Sequence, residues 1–361
     1  MTHSFRKTKL WLLPVLALAV VPSLLAQSAN ISVFASGFNN PRGLKFGPDG
    51  YLYVAEGGAG GSLSAIGQCK QAAGVGPYTG GFTARISKVA PNGSVSTVAD
   101  GLPSSQGSAA SGSLVSGVAD VAFVNGNLYA ILGGAGCSHG LLGTHNGVIR
   151  VNSDGTWSDV ANLSAFQKAH PVANPEPDDF EPDGTWYGMV VAGSTLYAVE
   201  PNHGELDAIT TDGQIKRVVD ISNSQGHIVP TAIAYGGKNF FVGNLERFPI
   251  EGDTSKVMKI TPEGEITTIA IDFSTILGLA FDSKHRLYVL ENTTGNPFPT
   301  PGTGKILRID GKHRYTEIAT GLNLPTAMTF GPDGNLYVSS WGFGPPPVGI
   351  GEVDKVIVPK D

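Results

Sequence analysis

Three carboxylates, an amide and a hydroxyl recur at one register position of this chain. Six segments share a short apolar run, a tight turn and a second run centred on Leu-Tyr or its equivalent. Four residues beyond that Leu stand Glu56, Leu132, Glu200, Asn244, Glu291 and Ser340. Glu56, Glu200 and Glu291 share parity with the apolar positions Leu52 and Val54, Leu196 and Ala198, Leu287 and Val289. The period-two rule therefore predicts that they point inward, at one mouth of the structure. Buried unpaired carboxylates are costly, so something must offset them. One reading is a divalent cation, Ca²⁺ or Mg²⁺, held by hard oxygen ligands from Glu56, Glu200, Asn244 and Glu291. Asn202, His203, Glu246 and Asn292 stand nearby in sequence as supplements. Basic partners, a wet mouth or capping of neighbouring strands are the other readings, and the sequence leaves all of them open.

Further residues stand out against their equivalents. Arg42 is matched in the other repeats by Ala119, Tyr187, Thr231, Leu277 and Thr326, so the scaffold does not require its charge. It could pair with Glu56, bind a ligand carboxylate or form a surface ion pair. Asp120 occupies a position that is otherwise Gly or Ala, predicted to lie near a central channel, where it could hold Arg42 or water. Tyr187 and Trp341 fall beside long loops and are candidate ligand-binding residues together with Arg42. Asp120 and His203 are the candidates for moving a proton, but neither is tied by sequence to a nucleophile. The acidic run Pro175–Gly184 could bind Ca²⁺ but does not have EF-hand spacing, and an ordinary solvated loop is the favoured reading. A two-histidine zinc pattern and the G-x-S-x-G, Walker and dinucleotide motifs are absent.

The elements that must position these residues come from the repeat itself. NNPRGLKFGPDGYLYVAE at Asn39–Glu56 returns nearly intact as LPTAMTFGPDGNLYVSS at Leu324–Ser340, with looser copies from Val118, Tyr187, Pro230 and Ile276. Each is a hairpin by its alternation and its Gly-bearing turn. Third and fourth strands follow each hairpin, for example Ala84–Ala90 with Ser94–Ala99 and Ser255–Ile260 with Glu265–Ile269. The sixth repeat lacks a fourth strand after Glu352–Val358, and Ile31–Gly37 has the pattern to supply it. The sequence thus predicts an all-β, six-bladed β-propeller with four-stranded blades, the last completed by the N-terminal strand. It forms one domain over residues 31–361.

The hairpin turns are uniformly short, while every long insertion lies in the loops that open on the opposite face. Those insertions begin at Gly57, Gly133, Leu163, Leu245, Asn292 and Trp341. Function is expected on that long-loop face. Residues 1–26 read as a secretory signal peptide: Arg6, Lys7 and Lys9 precede the apolar stretch Leu10–Ala26, with cleavage between 26 and 29. No second apolar run of spanning length follows, so the mature chain is expected to have no membrane span, with a periplasmic or secreted destination. In such a compartment the two cysteines, Cys69 and Cys137, are expected to form a disulfide. Three of the 24 basic residues and none of the 30 acidic ones lie in that leader, taking the formal charge from −6 to about −9. That argues against nucleic acid or an anionic membrane as partner.

The repeats resemble the NHL/SMP-30-like group of six-bladed propellers. With its leader, its PRGLxFGPDGxLYVAExG opening and its PxAMTFGPDGNLYV ending, the whole mature chain resembles the ScyD/ScyE family of exported bacterial proteins. That resemblance implies an association with biosynthesis of scytonemin, a cyanobacterial sunscreen pigment. The reading from the residues is an exported propeller presenting a small-molecule or protein-binding site on its long-loop face, without defined catalysis. The alternative that the resemblance implies is a metal-dependent enzyme for lactone or ester hydrolysis, or for condensation of aromatic precursors. In it, Glu56, Glu200 and Glu291 would hold the cation.

Overall fold

A computed structural model of the chain describes residues 27–111, 114–175, 177, 180–342 and 349–359. The predicted leader, residues 1–26, lies outside the described residues, as do residues 176, 178 and 179 of the acidic run. Six antiparallel sheets follow one another along the chain and form a six-bladed β-propeller. The last sheet consists of Ala327–Phe330, Leu336–Ser340, Gly351–Val356 and the N-terminal strand Ile31–Phe38. Ile31 pairs with Val356 and Ala35 with Val353, so the first strand closes the ring as its sequence pattern predicts. Closure covers the outer edge of Gly351–Val356, which would otherwise stand unpaired.

Blade one departs from the four-strand expectation. Its third and fourth strands run over Thr79–Val89 and Val95–Gln106, beyond the predicted Ala84–Ala90 and Ser94–Ala99. Thr79 to Gly81 pair with Ser104 to Gln106, and Val115–Ser116 adds a short fifth strand. The extension is rich in Gly, Ser and Thr, with Phe82 and Leu102 its isolated apolar residues, so no apolar alternation announces it. The crossing from blade two to blade three also holds a helix, Leu163–Ala169, within a segment predicted only as an insertion. Asn162 caps it by accepting the Ala165 N–H at 2.8 Å.

The hydrophobic core is not central. Among the described residues it is divided into six clusters at the seams, each drawn from two neighbouring blades, and a seventh, smaller one on the long-loop face. Ala55, Ile86 and Leu102 of blade one pack on Val121, Ala130 and Ile149 of blade two. Leu44, Leu52 and Val54 of blade one pack on Tyr337 and Val353 of blade six. The sheets stand radially, so alternate side chains of a strand face the preceding and the following blade. Each fully buried aliphatic or aromatic side chain contributes about 1.5–3 kcal/mol, and the ring gathers that burial at six similar seams.

The Gly-Pro-Asp-Gly motif serves this construction. Gly50 and Gly334 adopt φ of 79° and 76°, which tight turns demand and which glycine adopts freely. Asp49 accepts a hydrogen bond from the Tyr53 hydroxyl at 3.0 Å and pairs with Lys88 of the third strand at 3.2 Å. Asp333 repeats this with Tyr337 at 3.2 Å and Lys355 at 2.6 Å. The motif therefore ties the hairpin turn to the third strand.

The long insertions lie together on the face opposite these turns. Cys69 and Cys137 are joined, with their Cα atoms 6.3 Å apart, linking the insertion of blade one to that of blade two as expected. Among the described residues, no helix is long and apolar enough to cross a membrane.

Candidate functional site

The glutamates expected to converge on a cation do not do so. Among the described residues, no group of three His, Cys, Asp or Glu side chains is arranged to hold a metal ion. Each predicted ligand is instead buried at a seam and holds the segment that crosses from the preceding blade. The Asn39 N–H donates to Glu56 Oε2 at 2.7 Å, while Arg85 and Ser87 engage Oε1 at 2.7 and 2.5 Å. Glu200 accepts the N–H groups of Thr185 and His203 at 2.8 and 2.5 Å. Asn244 donates to the Ile228 carbonyl at 3.0 Å and accepts the Lys256 N–H at 2.8 Å. Glu291 accepts the Ser274 N–H at 2.6 Å and lies 3.1 Å from Lys305 Nζ. Parity correctly predicts that these positions are buried. The error is the direction: radial sheets aim them at a neighbouring blade and not at the axis.

The residues that do face the axis are set by a different device. Where the first strand begins in four of the blades, the ladder slips: between Pro41 and Leu44, Val118 and Asp120, Pro230 and Ala232, and Ile276 and Gly278. Such bulges release a residue from the alternation and re-aim its side chain. In the two blades without this slip, Tyr187 and Thr326 precede the strands at the same position. Ala119, Tyr187, Thr231, Leu277 and Thr326 accordingly line a narrow axial cavity, and Arg42, at the same position of blade one, lies against Tyr187. The cavity has room for roughly two waters.

Tyr187 nearly closes this cavity toward the long-loop face. Its hydroxyl donates to the Thr326 carbonyl of the opposite blade at 3.2 Å and lies 3.5 Å from Arg42 Nη1. Burial raises the tyrosine pKa, against the favourable field of Arg42. The Arg42 guanidinium carbon is 5.7 Å from the Tyr187 ring centroid, within cation–π range, and Nη2 donates to the Val115 carbonyl.

Around this pair lies an apolar floor made of Val229, Leu245, Leu277 and Leu324, against which half-buried Leu114, Tyr187 and Trp341 pack. Val229, Leu324 and Trp341 have φ of 55°, 44° and 58°. Left-handed backbone is uncommon for such residues, most of all for a β-branched one. Strain of this kind costs on the order of 1–3 kcal/mol per residue and collects where a structure serves a ligand. The structure thus brings together the predicted binding residues Arg42, Tyr187 and Trp341. It adds four aliphatic residues that sequence reasoning missed, because Val229 and Leu324 lie in crossing segments and Leu245 opens an insertion, all without alternation. Their common signal was position, at the ends of the repeat units.

The predicted proton carriers are committed elsewhere. Asp120 lines the axial cavity as predicted, but it does not hold Arg42. Its carboxylate accepts the N–H groups of Val121 and Met189 at 2.8 and 2.9 Å, bridging blades two and three. It fits only because position 43 is glycine: a Cβ there would lie 1.9 Å from Asp120 Oδ1. Burial raises its pKa, against the nearby Lys45. His203 Nε2 lies 2.9 Å from the Glu181 carbonyl and its ring packs on Phe180. A buried Ser105–His139 contact of 2.9 Å, with Glu181 3.6 Å from His139 Nε2, has the residue types of a hydrolytic triad. Ser105 and His139 are wholly buried, however, beneath Tyr78, so their hydroxyl and ring tie the insertions down.

The sequence matches no protein-family model and no curated protein. The fold does have solved counterparts. A protein of unknown function from Bacteroides thetaiotaomicron aligns over 92% of this chain and 76% of its own, with 13% identity and a TM-score of 0.57. A putative glucose dehydrogenase from Thermus thermophilus aligns over 92% and 100%, with 16% identity and a TM-score of 0.55. A gluconolactonase from Xanthomonas campestris aligns over 91% and 89%, with 10% identity and a TM-score of 0.54. At such identities the likeness is one of architecture, and the chain is a six-bladed β-propeller similar to proteins of differing activities.

Proposed function

We propose that this chain is an exported propeller that binds a small molecule at the centre of its long-loop face. The carrying observation is the strained apolar floor around Tyr187 and Trp341, set in the ring of insertions and directly above the axial cavity. Binding is favoured over catalysis because both candidate proton carriers, Asp120 and His203, are engaged with backbone groups. Export accords with the basic-then-apolar segment 1–26 and with the Cys69–Cys137 bridge. The ScyD/ScyE resemblance adds that the ligand belongs to aromatic pigment chemistry, which an aromatic and aliphatic floor suits.

Calorimetric titration with indole and naphthalene compounds tests the reading. Binding at one site per chain is expected, weakened by about tenfold or more in Tyr187→Ala and in Trp341→Ala. Glu263→Gln, in a turn on the opposite face, is expected to bind as the parent does. Equal binding by all four proteins would place the site elsewhere, and the reading would fall.

A further inference from the structure

Arg42 presents an unusual electrostatic problem. Only 6% of its surface is exposed, yet among the described residues no carboxylate pairs with it. A guanidinium offers five N–H donors and cannot shed its charge. Here it uses one on the Val115 carbonyl and, at a long 3.5 Å, another on the Tyr187 hydroxyl. Nε has no acceptor and is not among the fully buried unpartnered atoms, so it retains contact with solvent. Gly57 leaves that edge open, since a Cβ at position 57 would stand 3.6 Å from Nε.

Three buried carboxylates of this chain have a basic partner. Arg85 sits on Glu56, Arg217 on Glu205 and Lys305 on Glu291. Desolvating a cation without such a partner is costly, and no equivalent position in the other blades carries a charge. The unanswered cation stands beside Tyr187, with Trp341 and Leu324 on the same floor.

We infer that the ligand of this site is a flat apolar anion, a carboxylate on an aromatic body. The carboxylate is received by the open donors of Arg42 and the body lies on Tyr187 and Trp341. This rests on the binding site proposed above and specifies its chemistry. Arginine suits the task because its planar donors match a carboxylate and its charge is independent of pH.

The test compares 2-naphthoate with 2-naphthamide, which share a ring system and differ in charge, by calorimetry at fixed ionic strength. The parent protein is expected to bind the acid about tenfold to a hundredfold more tightly than the amide. Arg42→Gln is expected to erase that preference while still binding the amide. Arg42→Lys is expected to retain part of it. Equal affinity of the parent for acid and amide, with both lost in Trp341→Ala, would overturn the anion inference and leave the site standing. Failure of both probes to bind would overturn the inference and the site together. Preference for the acid that persists in a folded Arg42→Gln would also overturn the inference. If that variant does not fold, the parent's discrimination and the Arg42→Lys result decide. Inorganic phosphate as competitor separates general anion capture from recognition of the whole ligand. Displacement of 2-naphthoate by phosphate at equal concentration would overturn the aromatic part of the inference.

Discussion

Two buried titratable side chains set opposite pH slopes on the stability of this molecule. Burial pushes the Glu291 carboxyl up to about 7, against the nearby Lys305 and the Ser274 N–H. A folded pKa above the usual 4.5 means that the folded state binds more protons, so this contribution is lost as pH rises from 4.5 through 7. Burial pushes His139 down from 6.5 to about 4, against the Gly184 carbonyl and Asp183. Here the unfolded state binds more protons, so stability is lost as pH falls from 6.5 toward 4. Each term is worth roughly 3 kcal/mol at its extreme. Chemical denaturation from pH 4 to 8 should show Glu291→Gln gaining on the parent as pH rises, and His139→Gln losing the steep acid side. Parallel profiles for parent and variants would refute both assignments. The burial of Glu56, Glu200 and Glu291 was legible from the apolar strands that carry them. Their aim was not, because alternation separates two faces of a strand without saying what each face meets.

At the scale of elements, the ends of the repeat units carry the individuality of the chain. Alternation identifies strands and turns, so the hairpins and most third and fourth strands were readable. The bulges at Arg42, Ala119, Thr231 and Leu277 left no such trace, yet they decide which residues see the axis. Blade three shows another local departure. Glu200 lies directly across from Glu205, where blades one and five set Arg85 and Lys305 against their glutamates. Arg217 from the fourth strand answers the charge. The insertions are held differently, by the disulfide over a sequence separation of 68 and by the buried Ser105–His139 contact. Replacing both Cys69 and Cys137 by serine should cost about 4 kcal/mol on chain-entropy grounds. Hydrogen exchange should quicken first in residues 57–78 and 133–146. An unchanged unfolding free energy would show that packing alone holds the insertions. The bridge itself was legible because the chain has a single pair of cysteines, which leaves one intramolecular pairing.

The whole ring depends on one seam between chain ends. Ile31–Phe38 is the outer strand of blade six, and Phe38 and Ala35 enter the cluster shared by blades six and one. Removing residues 27–38 would bare the edge of Gly351–Val356 and open that cluster. Size-exclusion chromatography should then show self-association, with a broader thermal transition than the parent. A monodisperse variant that melts like the parent would mean that the ring holds without its closing strand. The closing strand was legible because Ile31–Gly37 repeats the pattern of other fourth strands. A last consequence follows from the tyrosine hydroxyl that reaches across the axis to Thr326. With the hole beneath it large enough for only about two waters, the molecule is a cup and not a pipe. A guest must leave by the door through which it came, so whatever narrows the rim would slow departure as well as arrival and could lengthen residence without tightening equilibrium binding.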